Sequence, residues 1–320
     1  MRKRIVISLF IFFAFLYVNN SSFLSPVRDE KPFLLAHRGL AQTFPLEGIE
    51  SDTCTARIIN EPEHPYLENT IPSMEAAFAA GADIVELDVH PTTDGEFAVF
   101  HDWTLDCRTD GNGVTREHSM EELKRLDIGY GYTADGGKTF PFRGNGRGMM
   151  PTLKEVLTQF PERAFLIHIK SNDRNEGVLL AEYLNRFPEK RLESLIVYGG
   201  DEPISAFKEM RPDVRVMSKE RLKSCLLTYM AIGWTGYIPK SCENSMLLIP
   251  EKVAKFLWGF PTTFQERMKK VHTIVVLVAG DGRWSEGFDD VEDLKRLPEN
   301  YQGGIWTNRI DQIGAVIKNE

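Results

Sequence analysis

The sequence predicts an α/β chain folded as a single (β/α)8 barrel with long insertions in its βα loops. Three observations lead there. After residue 30, short apolar runs alternate with helical stretches about eight times, the rhythm of parallel strands joined by helices. The roughly 290 residues involved suit a barrel, which typically takes ~250. The first strand ends in His37-Arg38-Gly39, not in the G-x-G-x-x-G turn that an open doubly wound sheet would prefer. No internal repeat or linker divides the chain. Residues 30–320 therefore read as one domain, with residues 1–25 as a separate leader.

Taken in order, Phe33–Ala36 reads as the first strand and Asn69–Ala80 as a helix stopped by Gly81. Ile84–Val89 and Phe97–Phe100 are strands, and Asp94-Gly95 between them suits a hairpin turn. Helices are expected at 151–160, 175–187, 203–210, 291–297 and 311–318. Strands are expected at 164–170, 194–198, 214–217, 274–279 and 304–306. Residues 40–67 and the glycine-rich stretch 129–149 are too long for plain connections and read as loop insertions. His90, followed by Pro91, reads as a loop residue.

Of the 320 residues, 42% are hydrophobic and 26% charged, which excludes a disordered or coiled-coil chain. Lys and Arg total 38 against 46 Asp and Glu, a net charge of -8, so no basic footprint for nucleic acid exists at the level of the whole chain. Arg2, Lys3 and Arg4 precede an apolar run, Ile5–Val18, followed by Asn19, Asn20, Ser21 and Ser22. That is the make-up of an export signal. The run would span only about 21 Å as a helix, so cleavage is the expectation. An anchor at residues 5–18, touching the membrane, is the alternative. Either way the protein is expected to be periplasmic or secreted. Cys54, Cys107, Cys225 and Cys242 allow three pairings in such a compartment, of which 54–107 and 225–242 are the most local.

The chemistry should collect at the C-terminal strand ends. His37 and Arg38 close the first strand. Glu86 and Asp88 lie two apart on the next, hence on one face. Their paired charge needs either a divalent cation or the cations of Arg38 and Lys170. His101 ends the strand FAVF and suits proton transfer near neutral pH. In AFLIHIK, Leu166, His168 and Lys170 share one side; an inward lysine calls for an anion, either a phosphate or a neighbouring carboxylate. His64, His118 and His272 read as structural or solvated.

These stretches resemble the glycerophosphodiester phosphodiesterase family. The resemblance lies in LLAHRG, in LENTIPSMEAAFAAGADIVELDV (67–89), in TTDGEFAVFHDWTLDCRT (92–109), in MPTLKEVL (150–157) and in AFLIHIK (164–170). GGIWTNRID (303–311) is a looser match to the family's last strand. The resemblance implies a metal-dependent phosphodiester hydrolase that releases an alcohol and glycerol 3-phosphate during lipid breakdown. His37 and His101 would be its acid–base pair and Glu86 and Asp88 its metal ligands. Arg38 and Lys170 would contact the phosphate, and Glu68 would support the site. His168 stands where the family usually has a third carboxylate ligand. Ligation by its imidazole would admit Mn2+ or Zn2+ beside the expected Ca2+ or Mg2+. The expected substrate is a small-molecule or lipid-derived phosphodiester. The aromatic-rich stretch 226–260 is expected to be core, with a lipid-touching lid as the alternative. A lid would favour a lysophospholipid or sphingomyelin-like substrate and phospholipase D-like chemistry. A catalytically silent barrel that binds phosphorylated ligands is the reading outside enzymology.

Overall fold

The computed structural model describes residues 2–21, 31–50, 53–283 and 286–319. Nine strands form its sheet: β1 (Phe33–Ala36), β2 (Ile84–Pro91), β3 (Phe97–Val99), β4 (Ala164–Ile169), β5 (Leu195–Gly199), β6 (Arg215–Ser218), β7 (Met246–Pro250), β8 (Ile274–Val278) and β9 (Gly304–Thr307). Eight of them run parallel in the order β6-β5-β4-β2-β1-β9-β8-β7. A parallel bridge from Val216 to Ser245 links the two ends of that order, and the Ser245 hydroxyl donates to the Val216 carbonyl at 2.6 Å. The result is a nearly closed (β/α)8 barrel. Strand β3 stands outside the ring, paired antiparallel to β2 through the expected hairpin.

Alternation along each strand sorts the core into two layers. Leu35, Ile84, Leu166, Ile196, Met246, Val276 and Trp306 fill the barrel interior. Leu34, Val85, Leu87, Phe165, Ile167 and Val197 face the helices. Several helices begin at capping boxes, among them Thr70 with Ser73 at the start of Ile71–Ala79 and Thr152 with Glu155 at the start of Leu153–Gln159. Residues 40–67 and 129–149 are insertions as expected. They build a second small core around Ala56, Leu67, Phe100, Leu105, Tyr132 and Phe142. The Asp127 carboxylate ties the second insertion together by accepting from the amides of Gly129, Gly144 and Gly146. Disulfides join Cys54 to Cys107 and Cys225 to Cys242.

Three sequence expectations need correction. His90 is not in a loop: β2 continues through it to Pro91, pairing His90 with Ala98 of β3, and the side chain is fully buried. Proline is tolerated there because it ends the strand. Residues 226–260 contain a strand that sequence reading passed over, Met246–Pro250. Residues 291–296 form a 3-10 turn and not an α-helix.

Candidate active site

The site follows from strand registry. Leu35 points into the barrel, so His37, two residues on, points into its mouth. On β2 the same rule aligns Ile84, Glu86 and Asp88, and on β4 Leu166 and His168. Asp88 is in register with His168, and His168 with Tyr198 of β5. His37, Arg38, Glu68, Glu86, Asp88, His101, His168 and Lys170 thereby meet at one end of the barrel.

The first turn is strained so that it can reach this place. Arg38 and Gly39 both have left-handed backbone, at φ 57° and 81°. The first is unusual for a side chain-bearing residue. A Cβ at Gly39 would come 2.6 Å from the Ser73 hydroxyl oxygen, so glycine is required. The turn aims the Arg38 amide at Glu86 Oε2, 3.1 Å away. Asn69 is also left-handed, at φ 58°, and its amide group clamps Asp88. Asn69 Nδ2 donates to Asp88 Oδ2 and the Asp88 amide donates to Asn69 Oδ1, both at 3.0 Å.

Both carboxylates are buried. Asp88 Oδ1 lies 2.8 Å from His168 Nδ1 and 3.3 Å from Lys170 Nζ, while Arg38 Nε lies 3.4 Å from Oδ2. Burial pushes Asp88 up, but Lys170, His101 and Arg38 outweigh it and hold the group well below the usual range. Glu86 has weaker support. The Tyr198 hydroxyl donates to its Oε1 at 2.6 Å, and burial beside Asp88 pushes its pKa up to about 8. Tyr198 also stacks on His168, with ring centroids 4.2 Å apart.

Each of the two mouth histidines is held through Nδ1 by a different kind of partner. His37 Nδ1 lies 2.7 Å from Asn308 Oδ1. Asn308 is braced in turn by Asp289, which accepts from its amide at 2.6 Å and from Nδ2 at 2.8 Å. His101 Nδ1 lies 2.7 Å from Asp102 Oδ1. Burial, with Arg38 nearby, lowers His37 to about 3, and burial lowers His101 well below its ordinary value. Asp102 begins a buried chain of charge. Arg108 reaches it at 3.0 Å and Glu68 at 3.1 Å, and Glu68 reaches Arg38 at 2.9 Å. Asn69, Asp102, Asn308, Asp289, Arg108 and Tyr198 are the members of the site that sequence reading missed. Asn69 and Asp102 are chain neighbours of residues it did assign, Tyr198 and Asn308 each lie two residues beyond an inward-facing apolar residue, and Arg108 and Asp289 left no trace.

This chain makes the fold acid-sensitive. Burial would raise Glu68, but Arg108 and Arg38 overcome it and lower the pKa from 4.5 to about 2. The unfolded chain therefore takes up this proton at a higher pH than the native one. The stabilisation is full above 4.5 and drains away as pH falls towards 2, amounting to about 3 kcal/mol. Denaturant titrations in this acid range should show Glu68→Gln with a shallower loss of stability than wild type. Parallel curves would assign the acid sensitivity to other groups.

Glu86, Asp88 and His168 each offer a ligand atom, all within 4.8 Å of one another. Two buried carboxylate donors and an imidazole suit a divalent cation. The charge balance agrees. Arg38, Arg108 and Lys170 face the four carboxyl groups of Glu68, Glu86, Asp88 and Asp102, with Asp289 behind Asn308, so the mouth carries an excess of negative charge that a divalent ion would offset. Beside His37 and Arg38 opens a cleft of about 270 Å3, lined also by Gln42, Phe44, Leu46 and Arg309.

A family described as the glycerophosphoryl diester phosphodiesterase family matches residues 37–230. The chain belongs to that family. The glycerophosphodiester phosphodiesterase of Caldanaerobacter subterraneus is 30% identical over 196 residues, covering 58% of this chain and 65% of that one. The mouse lysophospholipase D GDPD1 is 28% identical over 217 residues, or 65% of this chain and 61% of that one. The chain thus aligns with somewhat less than two thirds of either relative. Solved structures match over greater length. The glycerophosphodiester phosphodiesterase of Agrobacterium tumefaciens has a TM-score of 0.58 at 20% identity, covering 90% of this chain and all of the other. An Oleispira antarctica phosphodiesterase, in complex with the product sn-glycerol-3-phosphate, has a TM-score of 0.56 at 18% identity, covering 90% and 97%. At that identity the likeness is one of fold, and the fold is the family's barrel.

Proposed function

We propose that this protein hydrolyses glycerophosphodiesters to an alcohol and glycerol 3-phosphate. One observation carries the reading: two imidazoles, a buried carboxylate pair and two cations converge at the barrel mouth of a chain from this family. Glu86, Asp88 and His168 would hold one divalent cation, Ca2+ or Mg2+ by their hard donors, with Mn2+ or Zn2+ admitted by the imidazole. Bound there, the ion supplies Lewis-acid charge to the phosphate. Arg38 and Lys170 bring positive charge to the non-bridging oxygens, which carry more negative charge in the transition state. One imidazole takes the proton of the attacking hydroxyl, either that of water, which gives glycerol 3-phosphate directly, or that of the substrate's own glycerol, which gives a cyclic phosphate that a water opens in a second displacement. The attacking oxygen bonds to phosphorus as the ester P–O bond breaks. The other imidazole protonates the departing alkoxide. Asn308 and Asp102 keep the two rings turned for these transfers. Glu68 fixes Arg38.

The two disulfides support an oxidising compartment, periplasmic or extracellular, for the domain 30–320. Residues 1 and 22–25 of the expected leader lie outside the described residues. The name of the mouse relative favours a second reading, in which the substrate is an intact lysophospholipid. Assay of product release from glycerophosphocholine and from long-chain lysophosphatidylcholine, with each of the four cations, tests both. Turnover of glycerophosphocholine is the expected outcome. Turnover of the lysolipid alone selects the second reading. Binding of glycerol phosphate without turnover of either diester makes the barrel a non-catalytic receptor.

A further inference from the structure

The helix Arg2–Asn20 is apolar on every side. Its window Lys3–Asn20 has a mean hydropathy of 1.4 and none of it is buried in the protein. Its far end is held nonetheless. Arg267, itself only 6% exposed, donates from Nη2 to the Asn19 carbonyl at 2.7 Å and from Nη1 to Asn20 Oδ1 at 3.1 Å. The same guanidinium is fixed by the Tyr229 hydroxyl at 2.7 Å and the Gly233 carbonyl at 2.9 Å. Asn19 and Asn20 both donate from Nδ2 to the Trp234 carbonyl, at 2.8 and 3.0 Å. The Thr263 hydroxyl donates to the Ser21 carbonyl at 3.0 Å. Phe12 meets the Trp234 ring edge-on, 5.7 Å between centroids.

This is a seat made from two segments distant in sequence, and the helix end supplies two of the four acceptors of the Arg267 guanidinium. Around it the barrel wall exposes large apolar groups that nothing among the described residues covers. Phe256 is 63% exposed and Tyr237 52%, with Trp258 and Ile232 nearby in the chain. The Lys255 ammonium lies 5.3 Å from the Phe256 ring. Aromatic rings beside lysine at the foot of an apolar helix are what the headgroup layer of a bilayer accommodates. The short apolar run also fits: Lys3 and Arg4 can extend to one interface, and Trp234, against the helix end, sits at the other. Two independent features give the same orientation. Basic residues at the helix start belong on the cytoplasmic side, and the disulfides place the barrel on the oxidising side.

We propose that the N-terminal helix is kept as a bilayer-inserted anchor, and that the wall around Trp234, Tyr237, Phe256 and Trp258 rests in the lipid headgroup layer at its foot. This stands in place of the cleaved leader expected from sequence and is independent of the proposed reaction. The test uses the full chain produced in a bacterial host. The membrane fraction is expected to yield a protein whose intact mass includes residues 2–21. Reconstituted in phosphatidylcholine–phosphatidylglycerol vesicles brominated near the headgroup end of the acyl chains, its tryptophan fluorescence is expected to be quenched. The double variant Trp234→Phe/Trp258→Phe should lose most of that quenching. A soluble product starting after residue 21 overturns the proposal. A retained helix with no quenching, or with quenching that survives in the double variant, overturns the wall contact.

Discussion

Replacing either His37 or His101 by alanine is expected to lower turnover by about 10²–10⁴-fold, the usual contribution of a positioned proton-transfer group, or about 3–5 kcal/mol of barrier. The structural reason is that each ring is aimed before substrate arrives. His37 is held by Asn308 and His101 by Asp102, each at 2.7 Å. A ring bound at Nδ1 presents Nε2 to the mouth, and His37 Nε2 lies 3.9 Å from Glu86 Oε2. Burial lowers the proton affinity of both rings. Neither substitution strips a charged partner from a tight pair except at Asp102, and that carboxylate keeps Arg108. Thermal unfolding of both variants should therefore stay close to wild type while steady-state rates collapse. Wild-type rates in either variant would end the acid–base assignment. Loss of rate together with loss of the folding transition would show only that the ring holds up the fold. The double variant should lose little beyond the worse single one, because the two rings serve one reaction.

The site was legible where alternation along a strand does the placing. His37, Glu86, Asp88 and His168 sit at inward positions that period-2 counting finds without coordinates. Strands β1, β2 and β4 were found within a residue or two for the same reason. Legibility stopped where the partner lies on a remote segment. Asn308 and Asp289 reach His37 only because β9 closes beside β1, a fact of ring closure that no local pattern carries. Arg108 joins Asp102 to Glu68 through a loop fastened by the Cys54–Cys107 bond, and a lone arginine in a polar loop gives no sign of being 2% exposed. Strand β7 was hidden by its own composition. Met246–Pro250 is a short unbroken apolar run, bounded by Asn244-Ser245 and Glu251-Lys252, and five residues without alternation show neither helical nor strand periodicity. His90 was misread because Pro91 suggested a loop, whereas the hairpin extends β2 past the barrel rim.

Removing the cation, or the carboxylate that most needs it, is expected to abolish activity, and the two ligand carboxylates should fail in different ways. Glu86 accepts from the Arg38 amide and the Tyr198 hydroxyl. The side chain of Arg38 pairs with Glu68 and Asp88 and not with Glu86. Glu86→Gln therefore keeps the shape and orphans no cation. Asp88→Asn instead takes a partner from Lys170, Arg38 and His168 at once, and breaking a buried pair from one side is costly, about 3–5 kcal/mol. In EDTA, wild type should be folded but inactive. Adding cation at about 100 times its Kd should stabilise it by about 2.7 kcal/mol, and activity should return with the same midpoint. Glu86→Gln should match wild type in EDTA yet show little stabilisation and little activity on titration. Asp88→Asn should be destabilised even in EDTA. A full thermal shift in Glu86→Gln would move the ion to other ligands. Full turnover in EDTA would remove it from the reaction altogether and leave Arg38 and Lys170 to meet the phosphate alone.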